Sequence, residues 1–189
     1  MKHLLVAAGL FVLAAASPAY ADKYTDATNT FMHSGASAGF FRTAYAYAVF
    51  PTVGEGGFIV GAAVGKGRVY VHRRLVGDTT MTQGSVGFQA GGKAYSQIIF
   101  FEDKRALDEF ESGNFEFGAD ASVVAITAGA NAGAATNGAS AGVSVGQNDA
   151  ATRGVYQKGM AVFTVAKGGL MFSASIAGQK FSYTPRSAN

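Results

Sequence analysis

Residues 50–71 read FPTVGEGGFIVGAAVGKGRVYV, a β-prone apolar run punctuated by Gly54, Gly56, Gly57, Gly61, Gly65 and Gly67. Glycine inside a strand marks a bulge, a bend, or the close approach of another backbone or a ligand. The run therefore reads as two short strands, 58–64 and 68–73, meeting at a Gly65-Lys66-Gly67 turn. It has a superficial likeness to a phosphate-cradling loop, but it lacks the Gly-Lys-Ser/Thr ending and no helical pattern follows it. The glycines are assigned to strand bends and close backbone packing.

Residues 1–21, MKHLLVAAGLFVLAAASPAYA, begin with Lys2, continue through an apolar run over 4–16, and end in Ala19-Tyr20-Ala21 ahead of Asp22. This is the pattern of a cleavable secretory signal peptide. The apolar run is shorter than the ~20 residues a spanning helix needs. The expectation is cleavage after Ala21, a mature chain starting at Asp22, and a periplasmic or secreted location. Residues 22–189 suit a single domain with its own core. The chain has no cysteine, so disulfides, a thiol-linked lipid anchor and thiolate metal sites are excluded and packing alone must hold the fold.

The 15 Lys and Arg against 12 Asp and Glu are too slight an excess to mark a nucleic-acid binder. Their distribution says more. Between residues 42 and 93 stand Arg42, Lys66, Arg68, Arg73, Arg74 and Lys93 against Glu55 and Asp78, and from Arg153 onward the basic residues are unopposed. The acids gather over 102–120 as Glu102, Asp103, Asp108, Glu109, Glu111, Glu116 and Asp120, offset by Lys104 and Arg105. Such charges belong by default to solvated faces of strands and a helix.

Tyr24, Ala27, Phe31 and Met32 recur at helical spacing, with Gly35 and Gly39 interrupting before FFRTAYAYAVF, which predicts one or two short N-terminal helices. Phe40, Phe41, Tyr45, Tyr47 and Phe50 are first of all burial devices. Pro51 should stop any helix ahead of it. Further strands are expected at 85–90 and 94–101, paired as a hairpin around Gly91-Gly92. Asp103 as N-cap, Ala106, Leu107 and Phe110 on one face, and Gly113 as a stop predict an amphipathic helix near 103–112. Residues 119–146 are rich in Ala, Gly, Ser, Thr and Val, fit for tightly packed strands or for a loop. Two β-prone runs, 155–166 and 170–176, join at Lys167-Gly168-Gly169, and a last strand runs through Phe181 and Tyr183. The fold class is thus α+β and β-rich, an antiparallel sheet closed or sandwiched on itself.

Taken in order, AVFPTVGEGGFIVGAAVGKGRVYV, GSVGFQAGGKAYSQIIFFEDKRALDEFESG, the small-residue run and KGMAVFTVAKGGLMFSASIAGQKFSY resemble the SYLF domain, also called the Ysc84 family, over nearly all of residues 22–189. The Phe-Pro, Gly-Gly-Phe and Gly-Lys-Gly succession is the most specific part. The resemblance implies a lipid-binding domain without enzymatic activity, whose eukaryotic members are associated with phosphoinositide membranes and in some proteins with actin filaments. Many relatives carry a Trp-Ser pair before the Gly-Gln block, whereas this chain has no tryptophan and reads GDTTMTQGSVGFQAGG there.

Of the three histidines, only His33 and His72 follow the signal, and neither has a carboxylate at a metal-binding spacing. No catalytic set, cofactor or metal is expected. For an anionic headgroup the useful groups are cations at a sheet rim: Lys66, Arg68, Arg73, Arg74, Lys93 and Lys167, with Lys158 and Lys180 as further candidates. Each contributes on the order of 1 kcal/mol at an anionic surface, provided that several converge. The expected function is a non-enzymatic lipid-binding protein of the cell envelope that takes anionic phospholipid or a membrane surface through this rim, with the aromatic stretch 40–50 as a candidate aid. The alternative is a structural or protein-interaction module with an envelope protein partner. Actin is a remote third, carried by the family resemblance alone.

Overall fold

A computed structural model of the chain describes residues 22–56, 60–86, 93–121, 123–126, 154–167 and 176–187. The expected signal peptide, the Gly91-Gly92 turn, most of the small-residue run and the expected strand at 170–175 lie outside them. Ten elements follow in order: α1 (Lys23–Met32), α2 (Phe40–Thr43), β1 (Ala46–Gly56), β2 (Val60–Val71), β3 (Arg74–Val86), β4 (Lys93–Phe101), α3 (Lys104–Glu111), β5 (Val124–Ile126), β6 (Met160–Ala166) and β7 (Gln179–Pro185). No helix among the described residues is long and apolar enough to cross a membrane.

The strands form one sheet in the order β5-β6-β4-β1-β2-β3-β7. Every pairing is antiparallel except β5 with β6, which is parallel. The expectation of a β-rich α+β fold holds, but among the described residues the ladder does not close: β5 and β7 are its two ends. The sheet is curled instead. Gln97 on β4 and Gln179 on β7 stand four strands apart in ladder order, ~19 Å in a flat sheet at ~4.8 Å per strand. Their side chains nonetheless hydrogen-bond at 2.8 Å.

Both faces carry an apolar layer, as the period-2 alternation of strand side chains requires. On the concave face, Phe50, Val69, Met81, Tyr95, Ile99, Phe101 and Phe181 pack against Leu107 and Phe110 of α3. On the other, Val49, Ile98, Phe100 and Phe163 receive Tyr24, Ala27 and Phe31 of α1 and Phe40 and Phe41 around α2. Helix α3 forms as its sequence signals predict. Asp103 accepts a hydrogen bond from the Ala106 N–H at 2.8 Å, Ala106, Leu107 and Phe110 are buried, and Gly113 takes φ +76°. The N-terminal helices and the strand through Phe181 and Tyr183 also form.

Three local expectations are overturned. Gly65-Lys66-Gly67 is not a turn but the middle of the single strand β2: all three pair with β3, and on the β1 side Gly65 pairs with Val53 while Lys66 and Gly67 fall at a register shift. Close packing is what these glycines permit: a Cβ at Gly67 would sit 2.6 Å from the Phe50 ring, and one at Gly65 would sit 2.8 Å from Val53. Among the described residues β4 does not pair with β3, as a hairpin of 85–90 with 94–101 requires: β3 pairs with β2 and β7, and β4 with β1 and β6. Nor does Pro51 end a helix; it is buried within the central strand β1. Around Pro51 the β1 register slips against both neighbours, between Phe50–Gln97 and Val53–Tyr95 on β4 and between Val49–Arg68 and Val53–Gly65 on β2. Proline lacks the ladder donor and is tolerated in a sheet at such a bulge. Its carbonyl accepts from Ser96 Oγ at 2.8 Å.

Candidate functional site

The site is built around the turn between β2 and β3. Val71 and Arg74 are paired across it, which leaves His72 and Arg73 as the two turn residues, at φ +47° and +67°. Positive φ at both central positions is what a type I′ hairpin demands, and it matches the right-handed twist of the flanking strands. Neither residue is the glycine or asparagine that normally advertises such a turn, so the sequence pattern extends the strand through Arg73 instead. The turn is braced from below: the His72 N–H donates to the Tyr45 carbonyl at 3.4 Å, and the two rings meet edge to face at 5.2 Å.

Tyr45 is held in turn by its N–H bond to the Phe101 carbonyl at 2.9 Å. The residues just before it form α2, fastened by ring contacts of Phe41 with Phe100 at 4.9 Å and with Tyr47 at 5.3 Å. These contacts bring Arg42 and Arg73, distant in sequence, to the walls of one cleft of about 240 Å³, with Phe41, Tyr45, Tyr47 and His72 around them. Burial pushes the Tyr47 hydroxyl up to about 12; Tyr70, stacked at 5.0 Å, adds to this and Arg73 opposes it. Tyr47 is therefore a neutral donor at ordinary pH.

The described cations fall into those with a carboxylate partner and those without, the latter including Lys23, Lys66 and Lys167 as well as the cations of this end of the sheet. Arg68, Lys104, Arg105, Lys158, Lys180 and Arg186 each have a carboxylate within 4.0 Å. Among the described residues Arg42, Arg73 and Arg74 have none. Three guanidiniums thus stand at one end of the sheet with no carboxylate within 4.0 Å among the described residues. An arginine presents a planar fork of donors suited to two oxygens of a phosphate.

The six cations expected at a rim do not share one. Arg73 and Arg74 lie at this end. Lys66 is exposed in mid-strand, about 23 Å from Arg73 along β2 at ~3.3 Å per residue. Lys93 begins β4 in register with Glu55, at the opposite end. Lys167 follows β6 at that same far end and donates from Nζ to Thr52 Oγ1 at 2.8 Å. Arg68 is a fastener: it pairs with Asp22 and stands 4.0 Å from Asp78, with its guanidinium 4.0 Å from the centre of the Tyr24 ring. Burial opposes its charge, but hydrogen bonds with Tyr70 and Asp22 outweigh that and hold it above the ordinary arginine value.

The cations and rim residues expected from the sequence include neither Arg42 nor His72 at this site. The one available signal was a lone cation inside the aromatic run FFRTAYAYAVF. His33 lies with Nδ1 2.7 Å from the Asn29 carbonyl at the end of α1. Among the described residues no three of His, Asp or Glu gather as a metal site.

The model of the Ysc84 family, described as "Las17-binding protein actin regulator", matches residues 82–187. That match begins within β3, beyond the cleft. The "Beta cell expansion factor A" of Aeromonas veronii is 31% identical over 143 residues, which cover 75% of this chain and 46% of that protein. The chain spans about half the length of the curated relative it matches.

Proposed function

As the chain belongs to the Ysc84, or SYLF, family, we propose that it is a non-enzymatic lipid-binding protein of the cell envelope, periplasmic or secreted. It takes anionic phospholipid headgroups at the arginine-rich end of the sheet. The observation that carries this reading is the group Arg42, Arg73 and Arg74, without carboxylate partners among the described residues, two of them walling an aromatic-lined cleft. A phosphate arriving there meets guanidiniums that no carboxylate within 4.0 Å already occupies among the described residues. Each basic residue at an anionic membrane surface adds roughly 1 kcal/mol. Phe41 and Tyr45 beside them supply the amphipathic rings that settle at a lipid–water boundary.

Lys66, Lys93 and Lys167 lie too far off to share that headgroup and play no part in it. Neither the actin role in the family's description nor the cell-expansion role in the relative's name enters the proposal, because no residue of this surface is tied to either. Co-sedimentation with phosphatidylcholine vesicles, with and without phosphatidylglycerol, tests it at low and high salt. Binding that requires the anionic lipid and fades with salt supports the headgroup site. Equal indifference to both vesicles would sink it.

A further inference from the structure

Arg42 is on the wall of a second cleft as well. This one measures about 420 Å³ and is lined by Gly39, Phe40, Thr43, Gly154, Val155 and Tyr156. Helix α2 is the partition: Phe41 and Ala44 face the first cleft, Phe40 and Thr43 the second, and Arg42 both. The first is head-sized, whereas the second lies within the ~300–1,000 Å³ of ordinary ligand pockets.

We propose that the two clefts form one site for a single-chain anionic amphiphile. Arg42 and Arg73 hold its anionic group, and its alkyl chain lies along Phe40, Val155 and Tyr156. The location of the anionic group rests on the headgroup reading above; the chain's place does not follow from it.

Three features point to an alkyl chain in the second cleft. Its walls are fixed, since the Phe40 ring meets Tyr156 at 5.1 Å, Phe163 at 5.0 Å and Phe100 at 5.4 Å. Its lip is apolar and uncovered, with Val155 44% exposed, one of three described large apolar residues so placed. Two of its lining residues are glycines: a Cβ at Gly39 would meet nothing within 4 Å, and Gly154, at φ +62°, packs so closely on Phe163 that a Cβ there would strike that ring at 2.5 Å. A rigid apolar trough ending on an unpaired guanidinium matches a molecule with one charged end and one apolar tail.

Calorimetric titration of the protein with dodecyl phosphate below its micelle concentration, butyl phosphate, inorganic phosphate and dodecyl maltoside is the test. Dodecyl phosphate should bind one to one and at least roughly tenfold more tightly than butyl phosphate, since each buried methylene adds to affinity. Dodecyl maltoside should not bind. Gly39→Leu, at a backbone any residue adopts, should fill the trough and bring dodecyl phosphate down to the butyl phosphate affinity without altering that of inorganic phosphate. Val155→Ser should weaken dodecyl phosphate in the same direction and serves if the leucine variant loses thermal stability. Equal affinity for dodecyl and butyl phosphate, or indifference to both substitutions, would overturn the chain site, and equal binding of dodecyl maltoside would overturn the anionic end of the joint site. If anionic vesicles still bind in that event, the headgroup reading stands; if neither vesicles nor any phosphate binds, both fall.

Discussion

The side-chain amides of Gln97 and Gln179 hydrogen-bond each other reciprocally, at 2.8 and 3.1 Å, inside the concave core where both residues are fully buried. Gln179 also reaches Tyr95 Oη at 3.2 Å and Gln83 Oε1 at 3.3 Å. This amide pair joins β4 to β7 across the curl, where the backbone ladder does not.

Removing one partner should therefore cost more than removing both. Gln179→Leu strands the Gln97 amide in an apolar core and is expected to lower unfolding stability by about 1–3 kcal/mol. The Gln97→Leu/Gln179→Leu double variant should recover part of that loss. Urea unfolding midpoints of the three variants form a double-mutant cycle, and strictly additive losses would refute the coupling.

Gly67 carries the close approach of Phe50 to β2. Gly67→Ala places a methyl against that ring and against Thr79 Cγ2, 2.9 Å away, so a loss of about 1–3 kcal/mol is expected from overpacking. Adding Phe50→Leu should relieve it in part. Thermal unfolding of the single and paired variants distinguishes this clash from a general intolerance of β2 to side chains.

Arg68 should behave as a fastener and not as a headgroup ligand. Arg68→Ala removes a part-exposed ion pair and a cation–π contact, worth together about 1–2 kcal/mol. Amide exchange in α1 should accelerate, with vesicle binding unchanged. Arg42→Gln or Arg73→Gln should do the reverse, each weakening sedimentation with anionic vesicles roughly fivefold at unaltered stability. Lys180→Gln, whose lysine pairs with Glu116 at 3.3 Å, should leave both untouched.

Stability should fall on the alkaline side. The Tyr47 hydroxyl is pushed up to about 12 by burial and Tyr70, and that of Tyr183 to about 12 by burial and Glu111, against ~10 in an unfolded chain. The unfolded state thus loses these protons first, so the contribution is complete below pH ~10 and declines as pH rises towards ~12. Tyr47→Phe should flatten that decline and Tyr47→Phe/Tyr183→Phe flatten it further, read as urea midpoints across this range.

The helix α3 shows how far local signals reach. Asp103, Phe110 and Gly113 announce its start, face and end because a helix closes its hydrogen bonds within a few residues. The alternation around Phe181 announces β7 in the same way. By contrast His72 and Arg73 carry no turn signature, and Gly65-Lys66-Gly67 looks like a turn but is mid-strand. Both misreadings have one origin: strand ends are set by the neighbours a strand pairs with, and pairing is poorly encoded in local preference. The glycines themselves were legible as sites of close packing, though not that Phe50 is what packs there.

The candidate site divides along the same line. By itself the sequence determined that the chain is β-rich, cysteine-free and locally basic, with its aromatics massed ahead of the glycine run, since composition and alternation are properties of the chain alone. Tertiary structure alone decided which cations find carboxylates and which do not. Arg68 met Asp22 and Asp78, while Arg42 and Arg73 were left together without an acid, because charge pairing depends on distances of a few ångströms that only the register of β1, β2 and β3 creates.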